Sequence, residues 1–216
     1  LTIEEGVTVS ADRGCLFLSG EGETVINGGT LRNNDISDKR ESFTSHVIVV
    51  GYGANNKLTI NGGTFNHLHT KTSGGVVVNN WSAVTVDING GDFRGGNYFG
   101  KWDNLSDYGY GSTKTPFCVK GGSFSGFDNK FLAAGYKAVP NAEKTLWVVA
   151  PAVAELENAV VHEESGLIYN GNDAFNKSAY YILNAGDLKK AVDYFVNKTY
   201  EGNIATFELM ADIDMS

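Results

Sequence analysis

The chain has 216 residues, 42% of them hydrophobic, and 17 basic against 25 acidic side chains give a formal net charge of -8. That length supports one domain, or one with a small second one, and a core that needs no disulfide or metal. The acidic balance argues against nucleic acid, which asks for a basic face, and against an anionic membrane surface. No run of about 18 apolar residues exists, so no membrane insertion by a helix is expected.

There are 27 Gly and only 3 Pro. Gly mixed with Asn, Thr and Val reads as many short strands joined by tight turns. The chain opens on Leu1-Thr2-Ile3, a strand-like stretch with no initiator Met, leader or anchor before it, so it reads as an internal piece of something longer.

Four segments then align without gaps: Thr24-Val25-Ile26-Asn27-Gly28-Gly29-Thr30-Leu31, Leu58-Thr59-Ile60-Asn61-Gly62-Gly63-Thr64-Phe65, Val86-Asp87-Ile88-Asn89-Gly90-Gly91-Asp92-Phe93 and Phe117-Cys118-Val119-Lys120-Gly121-Gly122-Ser123-Phe124. Their first glycines fall at 28, 62, 90 and 121, so the spacings are 34, 28 and 31. Each unit is a strand, a glycine corner and a short strand. Side chains alternate along a strand, so Ile26, Ile60, Ile88 and Val119 point one way, and Leu31, Phe65, Phe93 and Phe124 return to the same interior after the corner. The paired glycines permit positive φ or close backbone approach. Asn27, Asn61 and Asn89 sit just before the corner, where asparagine suits turns and stacked amide ladders. A further strand precedes most units: Leu16-Phe17-Leu18, Val47-Ile48-Val49-Val50 and Val76-Val77-Val78.

No single unit of this kind can bury its apolar face alone, and stacking gives all of them one column of Ile, Val and Phe. An antiparallel β-sandwich is the rival, but it has no reason to repeat I-N-G-G-T-F at one register. The expected fold is mainly β, a right-handed parallel β-helix over residues 1–150, closed by a terminal hairpin cap. The hairpin reads from Gly135-Tyr136-Lys137-Ala138-Val139 through Pro140-Asn141-Ala142-Glu143 to Thr145-Leu146-Trp147-Val148-Val149, and a cap blocks edge pairing at a solenoid end. Residues 151–157 read as a linker, and 158–216 as a small α+β segment. There Leu188, Ala191, Val192, Phe195 and Val196 have helical spacing, with Asn184 as N-cap and Asp187 three residues on. A strand over residues 207–213 follows.

The I-N-G-G-T-F units, the stretch from Gly122-Ser123-Phe124 to Ala138-Val139, and Asp187-Leu188 through Ala211-Asp212-Ile213-Asp214 resemble modular right-handed β-helix (pectin-lyase-like) surface proteins and phage structural proteins of anaerobic and gut bacteria. The resemblance implies a large exported or virion-borne parent, with 1–150 as the body of one module and 158–216 as the start of the next. Its motifs specify architecture and carry no catalytic residue to transfer.

β-Helices often cleave polysaccharides, and stacking places equivalent positions about 4.8 Å apart. A polysaccharide lyase needs a carboxylate cluster for Ca²⁺ and a basic residue; a glycoside hydrolase needs paired acids. One outward column reads Val25, Thr59, Asp87, Cys118 and another Thr30, Thr64, Asp92, Ser123, with one acid each, so Asp87 and Asp92 read as solvated surface residues. His67 and His69 form an H-x-H pair with no acid or Cys column to complete a metal site and read as surface histidines; His46 and His162 have no nameable partners. Asp212 and Asp214 read as outward acids of a strand. Cys15 and Cys118 lie too far apart along the stack to bridge and are expected as free thiols. No catalytic residue, metal or cofactor is assigned.

The longest stretch between units, Arg94 to Pro116, carries Tyr98, Phe99, Trp102, Tyr108 and Tyr110 with Asp103, Asn104 and Asp107. Insertions in solenoids gather on one face, often the binding face. Aromatic faces beside Asp and Asn suit sugars, by flat apolar contact and hydrogen bonds to hydroxyls. Trp81, with Asn79 and Asn80, extends that surface one unit earlier. The same rings also suit packing or a homo-oligomer interface. The expected function is a non-enzymatic, structural and adhesive module on a cell surface or virion, with a glycan or host-surface receptor as partner beside further modules of its own chain. A polysaccharide-degrading enzyme and a spacer or fibre segment are the alternatives.

Overall fold

The computed structural model describes residues 1–12, 14–33, 46–51, 55–68, 75–79, 84–95, 104–107, 116–171, 178–196 and 206–210. The protein is mainly β and divides into two compact units, Leu1–Tyr136 and Lys137–Ser216.

In the first unit the chain visits three sheets in one fixed order. The first round gives β1 (Thr2–Ile3), β2 (Thr8–Ala11) and β3 (Leu16–Leu18); the second gives β4 (Glu21–Ile26), β5 (Thr30–Asn33) and β6 (Ile48–Val50). The third gives β7 (Asn55–Ile60), β8 (Thr64–His67) and β9 (Val77–Asn79), and the fourth β10 (Val86–Ile88), β11 (Asp92–Gly95) and β12 (Leu105–Asp107). A fifth adds β13 (Phe117–Val119) and β14 (Ser123–Phe124). The sheets run β1-β4-β7-β10-β13, β2-β5-β8-β11-β14 and β3-β6-β9-β12, with parallel pairing throughout. Register follows the repeat: Ile3, Ile26, Ile60, Ile88 and Val119 align, as do Leu31, Phe65, Phe93 and Phe124. All but Ile3 are fully buried. Phe65, Phe93 and Phe124 stack with ring centroids 4.8 and 4.7 Å apart, and Phe127 packs on Phe124 at 4.7 Å with its ring tilted by 42°.

The two corner glycines have different jobs. The second takes a positive φ, 85° at Gly29, 104° at Gly63, 113° at Gly91 and 104° at Gly122. The first allows two rounds to touch through their backbones. A Cβ would stand 2.7 Å from the Asn27 carbonyl oxygen at Gly62, 2.4 Å from that of Asn61 at Gly90 and 2.2 Å from that of Asn89 at Gly121. That approach brings the neighbouring asparagines into a ladder. Asn89 Nδ2 donates to Asn61 Oδ1 at 2.9 Å, Asn61 to Asn27 at 2.8 Å, and Asn27 to Glu4 Oε1 at 3.0 Å. Every amide points the same way, towards a residue that only accepts.

The unit boundary falls between Tyr136 and Lys137 rather than at 150. The expected hairpin forms, from β15 (Tyr136–Pro140) and β16 (Trp147–Pro151), with its turn held by Asn141 Oδ1 accepting from the Thr145 and Leu146 amides. Its Val139, Val148 and Ala150 share a core with Leu156, Val161, Ile168 and Tyr181, which is why it belongs to the second unit. The expected linker is folded: Ala154–Leu156 form a 3-10 turn and Leu156 is fully buried. β17 (Val160–Val161), β18 (Ile168–Tyr169) and β19 (Ala179–Ile182) pair antiparallel, and α1 (Ala185–Val196) crosses to β20 (Thr206–Leu209), parallel to β19. Asn184 caps the helix as expected, its Oδ1 accepting from the Asp187 amide at 3.0 Å. The buried stripe is narrower than its spacing implied: Leu188, Ala191 and Phe195 face Tyr180 and Ile182, whereas Val192 and Val196 stand exposed. No helix among the described residues is long and apolar enough to cross a membrane. Asp212 and Asp214 lie outside the described residues.

Candidate functional site

The stretch from Arg94 to Pro116 is not one loop. β12, Leu105–Asp107, interrupts it and aligns with Val77–Asn79. Leu105 is its one apolar residue and is buried, 3% exposed, so a single side chain in register suffices where composition gave no strand signal.

Two buried asparagines hold the ends of the segments on either side. Asn104, fully buried, donates from Nδ2 to the Gly95 carbonyl at 2.6 Å and to Ser125 Oγ at 3.1 Å, and its Oδ1 accepts from the Gly126 amide at 2.9 Å. Its backbone carbonyl accepts from both Val76 and Val77. The amide expected to meet a ligand is turned into the wall, closing the base of segment 96–103. Asn79, 1% exposed, uses one Nδ2 for two carbonyls, Val84 at 3.0 Å and Pro116 at 3.1 Å. The exits of segments 80–83 and 108–115 therefore meet on one amide, and Asp107, which precedes the second of these segments, is paired with Asn79. Trp81, Tyr98, Trp102, Asp103, Tyr108 and Tyr110 lie on these three segments, outside the described residues.

Buried amides were the signal the sequence reading missed. A polar residue ending an apolar strand, as Asn79 does after Val76-Val77-Val78, marks a side chain buried against backbone when the next strand is in register.

The two columns align as expected from the repeat, Val25, Thr59, Asp87, Cys118 on one sheet and Thr30, Thr64, Asp92, Ser123 on another, but Ser123 is buried rather than outward and solvated. Asp92 is not a solvated acid standing alone. Ser123 Oγ donates to it at 2.6 Å and Arg94 pairs with it at 2.6 Å, so its charge is neutralised within the sheet face. No group of three His, Cys, Asp or Glu placed to hold a metal occurs among the described residues.

His67, expected at the surface, is buried, and His46 and His162 are partly buried. His67 ends β8 at 3% exposure. His46 accepts a hydrogen bond at Nδ1 from the Gly75 amide, 3.2 Å. Burial, with the neighbouring His67 second, lowers the His46 pKa to about 4. His162 Nδ1 lies 3.1 Å from Ser165 Oγ, with the rings of Tyr169, Tyr180 and Tyr194 around it at 5.3 to 5.6 Å. His69 lies outside the described residues. Both cysteines are free; Cys15 Sγ is turned to the Val9 and Arg32 carbonyls, and burial raises its pKa.

Comparison with known proteins returns no matching family model, no matching curated protein and no matching solved structure.

Proposed function

We propose that the first unit winds as a right-handed parallel β-helix and serves as a non-enzymatic, structural and adhesive module of a cell-surface or virion protein, taking a glycan at segments 80–83, 96–103 and 108–115. The winding is supported by three parallel sheets visited in constant order, since parallel crossovers of this kind are right-handed almost without exception. The adhesive role rests on one observation. Asn79 and Asn104 spend buried amides on fixing the ends of the segments that carry Trp81, Tyr98, Trp102, Tyr108 and Tyr110. A base anchored in this way lowers the ordering entropy that binding would otherwise incur, and aromatic rings with acids and amides between them match a sugar's apolar faces and hydroxyls. Further modules of the same chain, a host-surface receptor and a homo-oligomer are the partners such a module would meet.

A glycan-array screen of the purified chain, with Trp102→Ala beside it, tests the reading. Binding that Trp102→Ala abolishes, with unchanged circular dichroism, supports an adhesive site on these segments. Absence of binding to every glycan overturns it and leaves a spacer whose rings serve packing. Release of shorter sugars from any polysaccharide would replace it with an enzyme.

A further inference from the structure

His46 stands just before β6, and Gly75 just before β9 in the next round. The bond between them runs from the Gly75 amide to Nδ1, 3.2 Å. An imidazole accepts at Nδ1 only when that nitrogen is unprotonated, so the ring is held as the Nε2–H tautomer. Protonation replaces the acceptor with a second donor facing the Gly75 N–H. Among the described residues, the titratable group acting on His46 from another strand is His67, at the end of β8. From the β3 side comes Cys15, whose thiol is turned to the Val9 and Arg32 carbonyls. Beside Gly75, β12 brings the Ser106 hydroxyl.

We propose that His46 is an acid-operated latch, whose protonation releases Gly75 and loosens β9. The strand it controls ends in Asn79, the residue whose amide holds Val84 and Pro116. Acid at His46 therefore loosens the base of segments 80–83 and 108–115. The latch stands whether or not those segments bind a glycan.

The sign follows from the tautomer. The latched state excludes the proton and the open state takes it, so latching is complete above the ordinary histidine pKa and weakens as pH falls. With the latched pKa at about 4 and the open-state value at about 6.5, the opening constant rises about 20-fold between pH 7 and pH 5. The experiment is hydrogen exchange of amides 75–79 on the intact chain, corrected for intrinsic rates, in the wild type and His46→Asn. Asparagine places a carbonyl oxygen where Nδ1 stood and does not titrate. The expected result is the 20-fold rise in the wild type and a flat profile in the variant. Equal rises in both, or none in the wild type, overturn the proposal. Should the variant fail to fold, ¹⁵N shifts of the wild-type imidazole decide: an Nε2–H tautomer titrating well below the ordinary histidine range supports the latch, and an Nδ1–H tautomer or an ordinary titration refutes it.

Discussion

Replacing Gly90 by alanine puts a methyl carbon 2.4 Å from the Asn61 carbonyl oxygen. That oxygen is backbone and cannot swing aside, so two rounds of the chain must separate or shear. Overpacking of this kind destabilises by about 1–3 kcal/mol, and a fixed neighbour places it towards the upper end. Alanine also removes about 0.4–1 kcal/mol of unfolded-state freedom, leaving a net loss of about 2 kcal/mol. Two further variants separate the mechanisms. At Gly135, φ is 82° and nothing stands within 4 Å of a new Cβ, so only the left-handed backbone penalty of about 1–2 kcal/mol applies, roughly halved by the entropy gain. At Gly91, φ is 113° and the Phe65 and Phe93 rings lie 3.1 Å away, so both penalties act and the loss is about 2–3 kcal/mol. Urea unfolding followed by far-UV circular dichroism reads these as midpoint shifts, on the order of 1 M for 2 kcal/mol. The expected ranking is Gly135→Ala mildest, then Gly90→Ala, then Gly91→Ala. A Gly90→Ala midpoint equal to wild type, or no larger a shift than at Gly135, would refute the claim that the first corner glycine exists for backbone approach.

Asn61→Ala removes the middle rung of the ladder and should lower stability by about 1 kcal/mol in the same assay, the exposed rungs holding each bond near the low end of its range. Asn61→Asp should do at least as much harm at neutral pH, because a carboxylate there accepts from Asn89 but faces the Asn27 Oδ1 without a proton to offer. Asn184→Ala, which deletes the cap on α1, should cost about 1 kcal/mol and speed amide exchange in residues 185–196 first. A thiol reagent near pH 8 should find both cysteines without prior reduction, and reaction at Cys15 should be slow and climb as pH rises, because burial raises its pKa and leaves little thiolate; a Cys15 rate that does not climb with pH would contradict that burial.

The repeat by itself determined the parallel register. When Ile26, Ile60, Ile88 and Val119 recur with Asn-Gly-Gly or Lys-Gly-Gly behind them, only in-register stacking buries every apolar residue and gives each asparagine an identical neighbour. The phenylalanine stack and the amide ladder follow, as do the two aligned columns. The helix and its Asn184 cap were legible too, because periodicity and capping are local. What tertiary structure decided were the matters that depend on neighbours distant in sequence. Leu105-Ser106-Asp107 has almost no strand propensity, and it is a strand because Val77–Asn79 presents an unpaired edge in register. The hairpin belongs to the second unit because Val139 and Val148 meet Leu156 and Ile168, a partnership no window of sequence contains. Asn104 reads as a sugar ligand beside aromatic residues, yet its amide faces Gly95, Ser125 and Gly126; direction along a strand is set by register, and register there was hidden by the missed β12. His67 read as a surface residue and His46 had no nameable partner for the same reason: the proton affinity of a histidine is a property of what surrounds it, and that is fixed only when the rounds are stacked.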